Sequence, residues 1–149
     1  MTKVNELMTQ NPSCVTAETT AQEAASLMER EDVGSLPVVE SRDSMRLTGI
    51  VTDRDLALRV LARGAAASTP IREVMSSGNL ACVRPEDNLD KVERLMSEQQ
   101  VRRIPVVDDS NRVVGMIAQA DLAREQGTVG RKDFGKVLEE ISEPGRGNR

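Results

Sequence analysis

The sequence of 149 residues contains no histidine, tryptophan or tyrosine, and Phe134 is its only phenylalanine. Without histidine there is no imidazole to act as a general base, to complete a Ser-His-Asp triad or to bind a metal ion. The lack of aromatic rings also removes the platform on which the bases of single-stranded nucleic acids stack. Paired acids such as Asp53 and Asp55 could carry out acid–base chemistry, but no nucleophile–base set accompanies them. We therefore expect neither an enzyme nor a metal-binding protein.

Cysteine, long apolar runs and a strong charge of one sign are also missing. Cys14 and Cys82 are too few for a disulfide scaffold, so we expect two buried free thiols, with a redox-sensitive pair as the alternative. The net charge is -4 with acids and bases interspersed, so nucleic acid is not an expected partner. No apolar run approaches the roughly 18 residues that span a bilayer, and the polar N-terminus does not resemble a signal peptide. We expect a soluble, cytoplasmic protein with no membrane association.

The chain does contain an internal repeat. MEREDVGSLPVVE (residues 28–40) aligns with MSEQQVRRIPVVD (residues 96–108), and the tripeptide DLA occurs at Asp55 and again at Asp121. Apolar residues at helical spacing near the C-terminus predict one more helix: Phe134, Val137, Leu138 and Ile141. We predict four parts: domain one (4–64), a linker (65–70), domain two (71–127), and a C-terminal helix with a disordered tail (128–149).

Both copies show the same order of patterns, β-α-β-β-α, which predicts an α+β fold. In the first copy, Thr20 and Glu23 form a capping-box pattern at the start of a helix, and Asn88 is the expected cap in the second copy. Each helix is followed by two strands, the first with a proline near its start, and by another helix. Because a unit of about 60 residues buries only part of its apolar surface, we expect the two copies to pack about a pseudo-twofold axis.

The junction GIVTDRDLA (residues 49–57) allows two interpretations. Thr52 is a candidate N-cap, and the carboxylates of Asp53 and Asp55 would be favourable in the first turn of a helix. The hydroxyl, the two carboxylates and the guanidinium of Arg54 could instead hold a ligand. The two roles are compatible, because one hydroxyl can cap a helix and also contact a ligand.

Five segments carry a family resemblance: LMTQNPSCVTAETT, VGSLPVVE and LTGIVTDRDL in the first copy, and VMSSGNLACVRPEDN and VRRIPVVDDSNRVVGMIAQADL in the second. Over roughly residues 4–127 the chain resembles a tandem pair of CBS (cystathionine β-synthase) domains, or Bateman module. It is similar to stand-alone bacterial CBS-pair proteins of the hypoxic-response type. The resemblance implies a regulatory module that binds AMP, ADP, ATP, S-adenosylmethionine or NAD between the repeats. It also implies a homodimer that requires no cofactor and acts on an unknown protein partner.

The resemblance assigns sugar recognition to the ends of the last strands. Asp55 would accept hydrogen bonds from both ribose hydroxyls, which suits an acceptor-only carboxylate, and Thr52 would contact sugar or phosphate oxygens. In the second copy Asp121 is kept but Ala118 replaces Thr52, so we expect a weaker or unoccupied site. For Asp121, the alternative is a plain first-turn acid.

The resemblance also suggests where the other parts of a nucleotide would bind. Arg102, Arg103 and Arg54 are the candidates for the phosphates, because a guanidinium forks to phosphate oxygens, and solvated surface charges are the alternative. Four strand residues are the candidates for the adenine, although their first role is in the core: Val15, Thr16, Leu36 and Pro37. We predict a ligand-sensing module for an adenosine-containing ligand. The alternative is a constitutive homodimeric scaffold with vestigial ligand sites.

Overall fold

The computed structural model describes residues 2–129, with side chains for residues 2–125. The helix predicted around Phe134 and the predicted tail lie outside the described residues. Within them the α+β class is confirmed, because two sheets of three strands are each packed with helices. No helix in this part of the chain combines the length and the apolar character needed to cross a membrane.

The first half contains the predicted β-α-β-β-α order, preceded by a helical turn and a short strand. Its elements are α1 (Val4–Leu7), β1 (Thr9–Gln10), β2 (Val15–Thr16), α2 (Ala21–Glu31), β3 (Ser35–Val39), β4 (Leu47–Thr52) and α3 (Asp53–Leu56). A π-helical turn, Ala57–Leu61, continues α3, and the left-handed Gly64 (φ 66°) follows it. The predicted last helix of this copy is therefore present but is partly of π type.

The second half repeats the pattern with one difference. After a 3-10 turn (Ile71–Glu73) come α4 (Leu89–Gln99), β5 (Arg103–Val107), β6 (Val113–Ala118) and α5 (Gln119–Val129). The counterpart of β2 is reduced to one parallel bridge between Val83 and Val106. The third strand of this sheet is β1, which pairs antiparallel with β6, so the sheet order is β1-β6-β5.

Side-chain caps fix the starts of the main helices, as the sequence predicts. The Thr20 hydroxyl accepts a hydrogen bond from the Glu23 N–H (3.1 Å), and the Glu23 carboxylate accepts one from the Thr20 N–H (2.9 Å). The Asn88 side chain accepts from the Lys91 N–H at the start of α4. These contacts satisfy backbone donors that have no partner inside a helix. Helices α2 and α4 end at left-handed residues, Asp32 and Gln100.

The two halves exchange the segments that precede their helices. Val4 and Met8 pack into the core of the second half, whereas Ile71 and Val74 are buried in the core of the first half. Backbone hydrogen bonds hold the exchanged segments: β1 pairs with β6, and Ser76 bridges to Ile50 of β4. Each core therefore depends on chain from both repeats, and the ends of β4 and β6 lie against a segment of the opposite repeat.

A third apolar cluster joins the two sheets and contains both cysteines at its edge. Its buried members are Val39, Leu47, Val107 and Val113. Cys14 and Cys82 pack against this cluster as free thiols, as expected, but they are half-buried rather than buried because they sit at its rim. Burial raises the pKa of the Cys14 thiol to about 11, with a smaller opposing effect from the positive charge of Arg42.

Candidate functional site

The junction between β4 and α3 is a reciprocal capping box. The Thr52 hydroxyl accepts a hydrogen bond from the Asp55 N–H (3.0 Å), and Asp55 Oδ2 accepts one from the Thr52 N–H (2.9 Å). The capping interpretation of this motif is therefore confirmed. The cap uses one carboxylate oxygen. The other, Oδ1, lies 4.0 Å from Nε of Arg59, which is a long contact for an ion pair.

Thr52 and Asp55 line a cavity of about 270 Å³ that is built from three segments. The junction of β4 and α3 supplies both residues. The exchanged segment of the second half supplies one wall, and the α4–β5 junction supplies the other. The lining residues from the second half are Ser76, Asn79, Leu80, Ala81, Gln99, Val101, Arg103 and Pro105. This Asp55 cavity therefore lies between the repeats, with most of its apolar lining from the second one.

A second cavity of about 280 Å³ adjoins the Asp55 cavity and shares Thr52 and Arg103 with it. The shared residues also include Ile50 and Val101. This arginine cavity brings together the three predicted phosphate ligands, Arg54, Arg102 and Arg103. None of the three guanidinium groups forms an ion pair with a described residue.

Arg102 carries an unusual feature for a surface arginine. Its Nη1 atom is buried and has no hydrogen-bond partner among the described residues. The hydroxyl of Ser35, which lines the same arginine cavity, is likewise buried without a partner. Buried polar atoms normally have partners, so both residues are exceptions among those that line this cavity.

The pseudo-symmetric counterpart is a cavity of about 350 Å³ at the end of β6, which we call the Asp121 cavity. Asp121 is only 6% exposed, and both of its carboxylate oxygens have partners in the chain. Its Oδ2 accepts from the Ala118 N–H (2.8 Å), and its Oδ1 pairs with the guanidinium of Arg124. The hydroxyl of Thr52 has no counterpart here, because Ala118 takes its place.

The four adenine candidates do not lie with Thr52 and Asp55. Val15 is 3% exposed in the first core, and neither Val15 nor Thr16 lines any of the three cavities. Leu36 and Pro37 line the Asp121 cavity instead. Both residues lie on β3 of the first half, so part of the wall that faces Asp121 comes from the opposite repeat.

Sequence reasoning missed the apolar wall of the Asp55 cavity and the ion pair of Asp121. The wall residues are Ile50, Leu80, Ala81, Val101 and Pro105. A signal for the ion pair was present, because Arg124 follows Asp121 by three residues, a spacing at which side chains on a helix meet. Among residues 2–125 no group of three or more Cys, Asp or Glu side chains is arranged to hold a metal ion.

Comparison with known proteins places both repeats in one family. The family model described as CBS domain matches residues 4–62 and again residues 71–128. The CBS domain-containing protein YhcV of Bacillus subtilis is 42% identical over 142 residues, which are 95% of this chain and 96% of that protein. Hypoxic response protein 1 of Mycobacterium tuberculosis is 33% identical over 83% of this chain and 85% of that protein.

Solved structures of CBS pairs have the same fold. The CBS domain pair of protein MJ0100, in complex with 5′-methylthioadenosine and S-adenosyl-L-methionine, superposes with a TM-score of 0.77. It is 29% identical, and the match covers 87% of this chain and 98% of that one. CBSX2 in complex with AMP gives a TM-score of 0.75 at 26% identity, over 88% of this chain and 100% of that one.

Proposed function

The chain belongs to the CBS domain family, of which it holds a tandem pair, and from this premise we propose that it is a regulatory module for a phosphorylated adenosine ligand. The main site of this proposal is formed by the Asp55 cavity and the adjoining arginine cavity. One observation carries it: the cavity with the ribose-type acceptor and the cavity with three arginines share Thr52 and Arg103. A nucleoside in the first would direct its phosphates into the second.

The ribose is assigned to Asp55. Its side chain is 15% exposed, so it is held in place and still accessible from the cavity. Oδ2 is engaged by the Thr52 N–H, but each carboxylate oxygen can accept more than one hydrogen bond. Oδ1 has only the long contact to Arg59, so the carboxylate can accept both hydroxyls of a cis-diol.

The phosphates are assigned to Arg54, Arg102 and Arg103. Three guanidinium groups without acidic partners produce a positive potential that a phosphate neutralises, and the fork of N–H donors matches phosphate oxygens. For the same reason we expect AMP, ADP or ATP in preference to S-adenosylmethionine, whose sulfonium would be repelled.

The adenine is assigned to the apolar wall that the second half contributes. Leu80, Ala81, Val101 and Pro105 offer an aliphatic surface for a flat ring, and the backbone of this segment supplies polar groups. This assignment differs from the one made from the sequence, of whose residues Leu36 and Pro37 line the Asp121 cavity and none lines the Asp55 cavity. It also means that one ligand would contact both repeats.

Regulation would follow from this shared site. A ligand that touches both repeats favours the relative position of the repeats in which all of its contacts form. We propose that a protein partner in the cytoplasm responds to that position, and that the chain acts as a homodimer. No catalytic role is proposed, since the site offers cations and hydrogen-bond acceptors but no nucleophile with a base.

A constitutive scaffold remains the second candidate because of one observation in the second half. Asp121 is occupied by the Ala118 N–H and by Arg124, and the hydroxyl of Thr52 has no counterpart there. That arrangement is typical of a site that has lost its ligand. The same cannot be said of the Asp55 cavity, where the acceptor and the arginines are both present.

Thermal unfolding in the presence of AMP, ADP, ATP, S-adenosylmethionine and NAD tests the proposal. A ligand at about one hundred times its dissociation constant adds roughly 2.7 kcal/mol, which raises the midpoint by several degrees at this size. We expect a shift with AMP that Asp55→Ala abolishes and Asp121→Ala retains. Thr20→Ala is the matched control, because it removes the same kind of cap far from the cavities. If protein shown to be free of nucleotide gives no shift with any ligand, the scaffold is the correct function.

A further inference from the structure

Arg103 is the one residue that lines all three of the cavities described above. Arg103 is the first residue of β5 and pairs with Ala118 of β6. Ala118 lines the Asp121 cavity, so the backbone of Arg103 lies next to that cavity. Arg103 also lines the Asp55 cavity and the arginine cavity, and it forms no ion pair with any residue of the described chain. One arginine thus borders both of the sites that the repeat makes equivalent.

Ser35 occupies the position equivalent to Arg103 in the first half. It begins β3 and pairs with Thr52, as Arg103 pairs with Ala118. Ser35 is 7% exposed, and its hydroxyl is buried with no hydrogen-bond partner in residues 2–125. One of these two equivalent positions therefore holds a cation, whereas exact symmetry between the repeats would place a cation at both.

The Asp121 cavity has no other uncommitted cation in its described lining. Arg124 also lines it, but this guanidinium is paired with the buried carboxylate of Asp121. A phosphate in this cavity would therefore depend on Arg103. The phosphate of a nucleotide bound at Asp55 would meet the same arginine in the arginine cavity, with Arg54 and Arg102 beside it.

We propose that the two ligand cavities are coupled through Arg103, so that a phosphorylated nucleoside bound at Asp55 disfavours a second one at Asp121. This inference rests on the proposed function and adds a rule of regulation to it. One guanidinium fork makes its bidentate contacts to one phosphate at a time, and two phosphates near one centre repel each other. An unphosphorylated nucleoside has no phosphate to pair with the guanidinium of Arg103. The Asp121 cavity therefore accepts adenosine independently of the Asp55 cavity.

Isothermal titration calorimetry with AMP and with adenosine tests this coupling. The key variant is Asp55→Asn, which is isosteric, keeps an oxygen for the cap, and weakens the first site. In the unaltered protein we expect one strong AMP site and a second that is weaker. In Asp55→Asn we expect the Asp121 cavity to bind AMP about tenfold more tightly than it does in the unaltered protein, where AMP already fills the Asp55 cavity. Adenosine should bind the Asp121 cavity equally in both proteins.

Each result decides between distinct conclusions. If AMP binds the Asp121 cavity with the same affinity in both proteins, the sites are independent and the coupling is wrong, while the proposed function stands. If none of AMP, ADP and ATP binds the unaltered protein, the proposed function fails and the coupling fails with it. If Asp55→Asn does not fold, Arg103→Gln provides the test. This variant should weaken the strong AMP site. In it, the fall in affinity from the first bound AMP to the second should be no larger than the fall from the first bound adenosine to the second. A persistent difference would overturn the coupling.

Discussion

Gly49 lies so close to Ser76 that a Cβ atom at position 49 would meet the Ser76 carbonyl oxygen at 2.8 Å. The same Cβ would meet the sulfur of Met75 at 2.8 Å. The glycine is therefore required by the close approach of two chain segments and not by its backbone dihedrals. This contact places the exchanged segment, which forms a wall of the Asp55 cavity, against β4.

Gly49→Ala should destabilise the protein and weaken the binding of AMP. Forcing a methyl group against a backbone carbonyl costs about 1–3 kcal/mol, and the segment from Ser76 to Ala81 must move. Gly115→Ala is the matched control in the second half. Its Cβ would meet mainly the side chain of Met8, at 2.5 Å, which can rotate away. Urea unfolding should therefore show a smaller loss for Gly115→Ala. Equal losses would contradict the role given to the Ser76 carbonyl.

The capping box of Thr52 and Asp55 should behave as one unit in unfolding experiments. Thr52→Ala and Asp55→Ala each remove one member of a reciprocal pair, and each should lower the free energy of unfolding by about 1 kcal/mol. The double variant should lose less than the sum, because either single change already disrupts the pair. The capping box of Thr20 and Glu23 is the control: it should show the same non-additivity without any change in AMP binding. Additive losses at Thr52 and Asp55 would show that the two contacts are independent.

Arg102→Met should separate binding from stability. Its Nη1 is a buried donor without a partner in the described chain, so methionine removes an unsatisfied polar atom while it keeps an apolar stem. We expect an unfolding midpoint that is unchanged or higher, together with an AMP affinity that falls about tenfold. Arg72→Met is the control, because Arg72 pairs with the exposed Glu18 away from the cavities. A loss of stability at Arg102 with unchanged binding would assign this residue a structural role instead.

The sequence predicted those features that depend on neighbouring residues. The caps at Thr20, Asn88 and Thr52 are formed by contacts three residues apart, so the pattern contains all that is needed. The apolar runs Leu36–Val39 and Ile104–Val107 predict β3 and β5, and each observed strand begins one residue earlier, because the repeated pattern supports both. Arg102 and Arg103, the phosphate candidates from the family resemblance, line one cavity with Thr52, and their role in binding stays a prediction.

The exchange of segments could not be predicted, and it decides the composition of the cavities. Strand β1 has only two residues, and both are exposed, so no apolar pattern shows which sheet it joins. Its place is fixed by the burial of Val4 in the distant second core, against which Met8 also packs. Of the adenine candidates, Leu36 and Pro37 line the Asp121 cavity and not the Asp55 cavity, and their role in binding stays a prediction.

Cys14 should react slowly with thiol reagents at pH 8 although it is only half-buried. Burial raises its pKa to about 11, and the nearby positive charge of Arg42 offsets only part of this effect. Only about one thiol in a thousand is then ionised at pH 8, compared with about a quarter of thiols that have the ordinary pKa near 8.5. We propose to measure the rate with 5,5′-dithiobis(2-nitrobenzoate) in Cys82→Ser protein, where Cys14 is the only thiol.

The rate should rise about tenfold per pH unit between pH 8 and pH 10, because the thiolate is the reacting species and its fraction grows in that proportion below the pKa. The same protein in urea is the control and should react at the rate of an ordinary thiol. The folded state holds this proton more tightly than the unfolded state does. The protonated thiol therefore contributes to the free energy of unfolding. This contribution is fully present below the pKa of Cys14 in the unfolded state and is lost as the pH rises through its pKa in the folded state. A folded-state rate equal to the rate in urea at pH 8 would show that burial does not control this thiol, and would return Cys14 and Cys82 to consideration as a redox-sensitive pair.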